Sequence, residues 1–402
     1  MPSPVARPRR GLRWAIVLAL GAGLLWAATA LAQQGKPDWD AAENTTLVDE
    51  AGRPVDIAIA PDGELWWADM NSGNVTRHDP ATGERSSAFH RAPIEDPAER
   101  GLVGLALDPD VAENGIFYVY YTVGDPEDPE GGTNVLSRIE DGREHRLVNV
   151  SANVVHNGGR IEFDDKGRMF VSTGDNNEGR KAQDPGSRLG KILHLYPNGT
   201  PAEDTIEGYV YSIGHRNVYG LAYDEANDRL FATENGEKER DEINLVEPGN
   251  NHGWPECEGY HRYDYDRWEP IEEPCDEPAF TDPIGVFHND TTAAPTGAAM
   301  FHGDLYWASL NEAAIHRLSE DPAGGWTDTV VHETAKRAYD VEVHNGSLYY
   351  SQPSEVVRLD VPVEAATGQA PSGSALSEVA GPGLAAAASA LALAVAVGRR
   401  RR

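Results

Sequence analysis

The stretch VDIAIAPDGELWWAD, residues 55–69, indicates the fold class because it has the pattern of two short strands joined by a tight turn. An apolar run with several β-branched residues precedes Pro61-Asp62-Gly63, and a run with two tryptophans follows it. Proline, aspartate and glycine are favoured in tight turns, whereas β-branched and aromatic residues are favoured in strands. Residues 55–69 therefore predict a β-hairpin.

Five further segments repeat this pattern. They are residues 103–122, 159–175, 219–236, 297–310 and 341–352. The second strands follow one another at intervals of roughly 40 to 75 residues, which matches one four-stranded propeller blade with loops of variable length. A third strand follows several hairpins, for example KILHLYP at residues 191–197. We therefore predict an all-β protein, a six-bladed β-propeller over residues 44–361, although counting alone leaves seven blades open.

Residues 1–32 have the composition of an export signal. Arginines precede an apolar run, and the run ends in Ala30-Leu31-Ala32, a small-x-small cleavage pattern. A permanent N-terminal membrane anchor is the alternative interpretation. Residues 33–43 are predicted to be a short segment that leads into the propeller.

The C-terminal end predicts a tether. Residues 362–380 are rich in small residues and are interpreted as a flexible linker. Residues 381–402 contain an apolar run shorter than the about 20 residues that span a membrane, followed by Arg399–Arg402. This tail resembles archaeal sorting tails that are cut and replaced by a lipid, with an uncleaved anchor as the alternative. We expect the propeller to be exported, to sit at the extracellular face of the cell membrane, and to meet the membrane only through its terminal segments.

The region between the two ends is strongly acidic. Residues 1–32 and 381–402 together hold eight arginines and no acidic residue, so 65 acidic and 26 basic side chains remain, a net charge of about −39. Such a domain repels nucleic acid, and we expect no nucleic-acid partner. An acidic surface with only six lysines suits a protein that must stay hydrated in concentrated salt. This composition predicts a halophilic protein of haloarchaeal origin, with a merely acidic extracellular protein as the alternative.

Cys257 and Cys275 are the only cysteines. Export would place them in an oxidising compartment, where a disulfide persists, and a bridge closing this loop would be worth about 3 kcal/mol. We therefore predict a disulfide. A zinc site is poorly matched because no histidine pair lies near them in the sequence.

Seven ordered segments resemble the glucose/sorbosone dehydrogenase family, the soluble quinoprotein aldose sugar dehydrogenases. They are residues 100–122, 156–175, 184–200, 211–224, 241–255, 294–301 and 337–343. The resemblance runs from about Val55 to Leu359. It implies an oxidoreductase that oxidises a small-molecule aldose sugar at its anomeric carbon to the lactone. Hydride would pass to pyrroloquinoline quinone (PQQ), and the electrons would then pass to an acceptor that the sequence does not identify.

The resemblance also implies catalytic roles. His156, which opens the turn HNGG, would take the proton from the anomeric hydroxyl, and imidazole is suited to such general-base work near neutral pH. Asp175, at the end of VSTGD, would hold the His156 tautomer, with a turn-capping role as the alternative. Arg216 would stabilise the negative charge that arises on the quinone oxygens, with a structural ion pair as the alternative. The two glycines after His156 predict positive φ angles or a close approach to the backbone.

Cofactor contacts follow from the same resemblance. The predicted PQQ contacts are Arg216, Asn217, Gly236, Glu237, Thr292 and Arg337. Calcium, which prefers oxygen ligands, would be held by Gly236, Glu237 and Glu242, although Glu237 stands where the family usually has proline.

Two positions depart from the family pattern. Relatives meet the three PQQ carboxylates with one lysine and two arginines, but Asn311 stands at the lysine position and Tyr339 at the second arginine position. Arg337 is retained. The two lost cations favour an alternative function, a catalytically silent binding propeller at the cell surface. A metal-dependent, lactonase-like hydrolase is a further alternative, and it would need acidic metal ligands at the central channel.

Overall fold

The structure is a computed structural model that describes residues 37–92, 98–125, 127–237, 240–275, 277–287 and 293–363. Pro37–Pro362 form one compact unit, and Met1–Lys36 with Val363–Arg402 are assigned to another, of which only Val363 is described. The predicted export signal and C-terminal tail thus lie outside the described residues, as does most of the predicted linker. Within the described part of the chain, no helix is long and apolar enough to cross a membrane.

Strands account for nearly all the regular structure of the described residues. The strands are β1 (Glu43–Val48), β2 (Pro54–Ile59), β3 (Leu65–Asp69), β4 (Asn74–His78), β5 (Arg85–His90), β6 (Leu102–Leu107), β7 (Phe117–Gly124), β8 (Gly132–Glu140), β9 (Arg143–Ala152), β10 (Ile161–Phe163), β11 (Met169–Thr173), β12 (Lys191–Leu195), β13 (Val210–Ile213), β14 (Val218–Asp224), β15 (Arg229–Glu234), β16 (Asp241–Val246), β17 (Cys257–Glu258), β18 (His261–Asp264), β19 (Glu269–Pro274), β20 (Gly285–Phe287), β21 (Pro295–Phe301), β22 (Asp304–Ser309), β23 (Ala314–Glu320), β24 (Trp326–Glu333), β25 (Asp340–His344), β26 (Ser347–Gln352) and β27 (Glu355–Asp360). One α-helical turn, α1 (Val111–Asn114), and two 3-10 turns, Trp39–Ala41 and Gly179–Gln183, complete the elements. The all-β prediction is confirmed.

The strands of the described residues form six four-stranded antiparallel sheets and one three-stranded sheet. The four-stranded sheets are β2–β5, β6–β9, β10–β13, β14–β15–β16–β20, β21–β24 and β1–β27–β26–β25. The first strands of successive sheets contact each other in a ring, from β2 through β6, β10, β14, β21 and β25 back to β2. Each of the six predicted hairpins supplies the first two strands of one sheet. This ring of four-stranded sheets is a β-propeller.

The ends of the repeat region meet in one sheet. Strand β1 pairs antiparallel with β27, in a register that places Glu43 opposite Asp360 and Val48 opposite Val356. The N-terminal strand therefore covers the outer edge that β27 would otherwise expose, and it links the start of the described chain to its end.

The hydrophobic core is divided among the spaces between neighbouring sheets. Strand β7 shows the reason, because alternate side chains of a strand point to opposite faces. Tyr118 and Tyr120 pack with residues of the β10–β13 sheet, whereas Val119 and Tyr121 pack with residues of the β2–β5 sheet. Both faces of this sheet are buried against neighbouring sheets. Its strands are therefore apolar on both faces.

A buried ion-pair network joins the first strands at the centre of the ring. The Arg160 guanidinium lies 2.9 Å from the Asp56 carboxylate and 3.7 Å from that of Asp340. It also donates to the carbonyl oxygens of Val55, Tyr219 and Tyr339, at 2.6, 2.8 and 3.2 Å. Arg160 thereby connects the start of β10 with the starts of β2, β14 and β25.

Cys257 and Cys275 form a disulfide, so that prediction is confirmed. The bridge joins β17 to the residue after β19 and closes the three-stranded sheet.

Candidate active site

A cavity of about 350 Å³ opens at one end of the ring. Its walls come from the beginnings of all six first strands, each of which contributes at least one residue at or just before its first positions. These residues are Val55, Val103, Arg160, Asn217, Thr296 and Tyr339. The volume lies in the range of small-molecule sites. Because every sheet contributes, the cavity exists only when the ring is closed.

His156 borders this cavity and forms a tight pair with Asp175. The His156 Nδ1 atom lies 2.7 Å from Asp175 Oδ1, and the two side chains are 9% and 1% exposed. An acid at this distance favours the tautomer with the hydrogen on Nδ1, which leaves the Nε2 lone pair available as a base. The structure therefore brings together the two residues that the sequence predicts as base and orienting acid.

Asp175 is held from a second side by Trp254. The Trp254 Nε1–H donates to Asp175 Oδ2 at 2.7 Å, and the Asn177 backbone N–H donates to Oδ1 at 2.9 Å. The Asp175 backbone N–H donates to the Arg216 carbonyl oxygen at 2.8 Å. Asp175 thus orients His156 and also links the His156 turn to the Arg216 segment.

The glycines of the HNGG turn permit backbone packing. Gly158 has φ +61°, and a Cβ there would lie 2.8 Å from Thr173 Cα. Gly159 has φ +117°, and a Cβ there would lie 2.7 Å from a methyl group of Val103. His156 itself adopts φ +56°, an uncommon conformation for a residue other than glycine. The tight turn therefore places the His156 ring beside Asp175 at the cost of local strain.

Arg216 also borders the cavity, with its guanidinium 5.5 Å from the Trp254 ring centroid. One terminal nitrogen forms an ion pair with Glu237, and the other donates to the Asn235 carbonyl oxygen at 3.0 Å. The predicted alternative role, a structural ion pair, is therefore present. The Nε atom is buried and makes no hydrogen bond in the described structure. Since a buried donor is costly to leave unpaired, this atom fits an acceptor supplied by a ligand.

Glu99 is a cavity residue that the sequence analysis missed. Its carboxylate accepts the His156 backbone N–H at 2.7 Å and lies 3.4 Å from Asn217 Nδ2. Asn217, a predicted cofactor contact, uses its Oδ1 atom to accept the Gly158 N–H at 3.3 Å. The only sequence signal for Glu99 is its place directly before the segment 100–122, and the chain does not otherwise connect it with His156.

Only some of the other predicted cofactor contacts lie at the cavity. Gly236 and Glu237 border the cavity, whereas Arg337 is exposed and lies outside the cavity lining. Tyr339, at the position where relatives carry an arginine, borders the cavity. Thr292 lies outside the described residues.

Two of the three predicted calcium ligands have other partners in the structure. The Glu237 carboxylate pairs with Arg216, whereas the Glu242 carboxyl accepts from Gly259 N and from Asn244 Nδ2. Burial and the nearby Glu234 raise the pKa of Glu242 well above its usual range. In the part of the chain that the structure describes, no three His, Cys, Asp or Glu side chains are grouped to hold a metal ion.

A family comparison matches residues 51–356 to the model described as Glucose / Sorbosone dehydrogenase. The chain belongs to this family. A solved structure similar to this chain is the PQQ-bound form of an aldose sugar dehydrogenase from Streptomyces coelicolor, 27% identical, with a TM-score of 0.68. That comparison covers 81% of this chain and all of the other.

Two curated relatives of this chain match shorter regions. An aldose sugar dehydrogenase of Escherichia coli is 30% identical over 227 residues, which cover 52% of this chain and 60% of the relative. Quinoprotein glucose dehydrogenase B of Acinetobacter calcoaceticus is 24% identical over 259 residues, which cover 54% and 53%. In both cases the chain spans less than two thirds of the relative's length.

Proposed function

We propose that the protein is a six-bladed, PQQ-dependent dehydrogenase that oxidises an aldose sugar at its anomeric carbon to the lactone. The observation that carries the proposal is the His156–Asp175 pair at the wall of the cavity that Arg216 also borders. Family membership supports the reaction class. The six four-stranded sheets of the described residues support the blade number.

His156 is the proposed general base. With Nδ1 donating to Asp175, the Nε2 lone pair accepts the proton of the anomeric hydroxyl. Asp175 stabilises the positive charge that the imidazole then carries, while Trp254 Nε1–H prevents the carboxylate from turning away. Glu99 fixes the backbone of His156, so the ring is positioned from both its side-chain and main-chain ends.

The residues present fit an anionic, aromatic cofactor of the size of PQQ. The cavity measures about 350 Å³, and the unpaired Nε–H of Arg216 can donate to an oxygen acceptor. When bound, PQQ supplies the two-electron acceptor for the hydride of the sugar. Arg216 then counters negative charge on the acceptor side, and Asn217 contributes a polar contact. Calcium at Gly236, Glu237 and Glu242 remains a prediction, on which no step depends.

The test combines cofactor binding with turnover. His156→Ala should fold and bind PQQ as the wild type does, while aldose oxidation with an artificial electron acceptor falls by about 10² to 10⁴, the usual worth of general acid–base catalysis. Asp175→Asn should lose less, because Asp175 orients the imidazole without touching the sugar. Equal turnover in wild type and His156→Ala would remove the proposed base.

The alternative function, a silent binding propeller, is favoured by Tyr339, which brings no positive charge to the cavity wall. It predicts that the wild type neither binds PQQ nor oxidises any aldose. Absorbance titration of the purified protein with PQQ and calcium in molar salt separates the two functions.

We also propose that the protein is exported and held at the extracellular face of the membrane by its C-terminal tail. The disulfide supports this location, because such bonds persist in oxidising compartments. Protease treatment of intact cells should release the propeller, and full protection of the protein inside the cells would contradict the proposal.

A further inference from the structure

Three arginines border the cavity, and two of them already have acidic partners. Arg160 lies between Asp56 and Asp340, and Arg216 pairs with Glu237. The third is Arg53, directly before β2. Arg53 differs from the other two because its guanidinium makes no ion pair or hydrogen bond within the described residues.

The Arg53 guanidinium lies beside a tyrosine ring that also borders the cavity. It lies 5.8 Å from the Tyr339 ring centroid, within the range of a cation–π contact. Its positive charge also bears on Tyr219, another residue of the cavity lining: burial and Glu99 raise the pKa of Tyr219, and the charges of Arg160 and Arg53 oppose that shift. The Tyr339 contact thus places the charge of Arg53 at the cavity.

The Arg53 backbone N–H donates to Asp69 Oδ1 at 3.0 Å, and its carbonyl oxygen accepts from Met70 N at 3.0 Å. The main chain is therefore fixed while the guanidinium keeps its donors. A guanidinium presents paired N–H groups that match a carboxylate, and such charged hydrogen bonds are among the strong ones.

We propose that Arg53, oriented by the Tyr339 ring, binds a carboxylate of PQQ. The inference rests on the proposed function. It assigns to β2 a cofactor contact that the sequence analysis placed on the segment before β25, at Arg337. Tyr339 carries no positive charge of its own. It instead provides the aromatic ring that orients the Arg53 guanidinium.

Calorimetric titration of the apoprotein in a fixed potassium chloride concentration tests the inference without any turnover. The titrants are PQQ and its trimethyl ester, which has no carboxylate charge. Arg53→Gln should raise the Kd for PQQ by about 10- to 100-fold, the scale of a charged hydrogen bond, and should change the Kd for the ester less than about twofold. Arg143→Gln is the matched control, because it removes the same charge from an exposed strand residue outside the cavity, and it should leave both values unchanged.

Thermal unfolding of each variant shows whether the fold is intact, and Arg53→Gln should unfold as the wild type does because no side-chain hydrogen bond is lost. Equal PQQ affinity in wild type and Arg53→Gln overturns the inference while the proposed function stands. So does a loss that is as large for the ester as for PQQ, since charge is then not its cause. A wild type that binds no PQQ overturns both.

Discussion

At the scale of single residues, carboxylates fix the main chain of the proposed catalytic residues. Glu99 accepts the backbone N–H of His156, and Glu234 accepts that of Arg216. Glu234 is buried, and its hydrogen bonds to the backbone compensate for the lost solvation, whereas Glu99 is partly buried and borders the cavity. The geometry of the site therefore depends on acids that hold the main chain of the proposed catalytic residues.

Glu234 and Glu242 are two buried carboxyl groups that share one hydrogen-bond donor. Both accept from Asn244 Nδ2, at 3.2 and 3.1 Å. Burial raises the pKa of Glu234 to about 8, and burial together with the charge of Glu234 raises that of Glu242 well above its ordinary value of 4.5. One of the two carboxyls is expected to keep its proton at neutral pH.

Glu242→Gln should flatten the dependence of stability on pH. From about pH 4.5 upward the unfolded chain releases the Glu242 proton while the folded protein retains it, so the stability of the wild type falls as pH rises, by about 1.4 kcal/mol per pH unit for one proton. The amide cannot titrate. The difference in Tm between Glu242→Gln and wild type should therefore grow in favour of the variant from pH 5 to pH 8. The exposed Glu225→Gln serves as control, and parallel Tm profiles for Glu242→Gln and wild type would refute the shift.

At the scale of elements, the β10–β11 hairpin and the turn before it position the base. The turn containing His156 packs against the end of β11 so closely that a Cβ on Gly174 would lie 1.9 Å from the His156 carbonyl oxygen. Two backbone segments are in contact here, and neither has a flexible side chain that could move aside.

Gly174→Ala should displace the His156 turn. We expect a loss of stability of about 1–3 kcal/mol, the usual cost of overpacking, with a loss of turnover that exceeds the loss of PQQ binding. Gly124→Ala is the control, because no atom lies within 4 Å of the Cβ position there. Denaturant unfolding and turnover are measured for both variants. Equal stability and equal turnover in Gly174→Ala and Gly124→Ala would show that the His156 turn has space for an added Cβ.

At the scale of the whole molecule, a ring of sheets holds a large negative charge. About −39 charges lie between the two terminal segments, while the centre of the ring is held by Arg160 among buried acids. Repulsion among surface carboxylates opposes compaction. It is screened over only about 3 Å in molar salt.

The folded state should therefore require concentrated salt. Circular dichroism should show the unfolding midpoint rising steeply with potassium chloride, with partial unfolding in dilute buffer. An uncharged osmolyte at matched osmolality is the control, because it does not screen charge. Cooperative unfolding at the same temperature in dilute buffer and in molar salt would contradict the prediction.

The sequence by itself determined the local elements. The six hairpins follow from turn residues between apolar runs, and each is formed by residues less than about 20 positions apart, a range over which strand and turn preferences act directly. The His156–Asp175 pair is also formed by residues close in sequence. The two residues lie at the two ends of one hairpin segment and meet when β10 pairs with β11.

Only the tertiary structure decided which distant residues share the cavity. Arg53 and Tyr339 are almost 300 positions apart and meet because β1 pairs with β27 and β2 contacts β25 as the ring closes. Glu99 and Trp254 reach the His156–Asp175 pair from two other sheets or their loops. Glu242, five positions after Glu237, is buried on strand β16 and is not among the residues that line the cavity. The alternation of apolar and polar residues indicates the two faces of each strand. The positions of the loops that meet at the end of the ring depend on packing between sheets, which no local sequence pattern encodes.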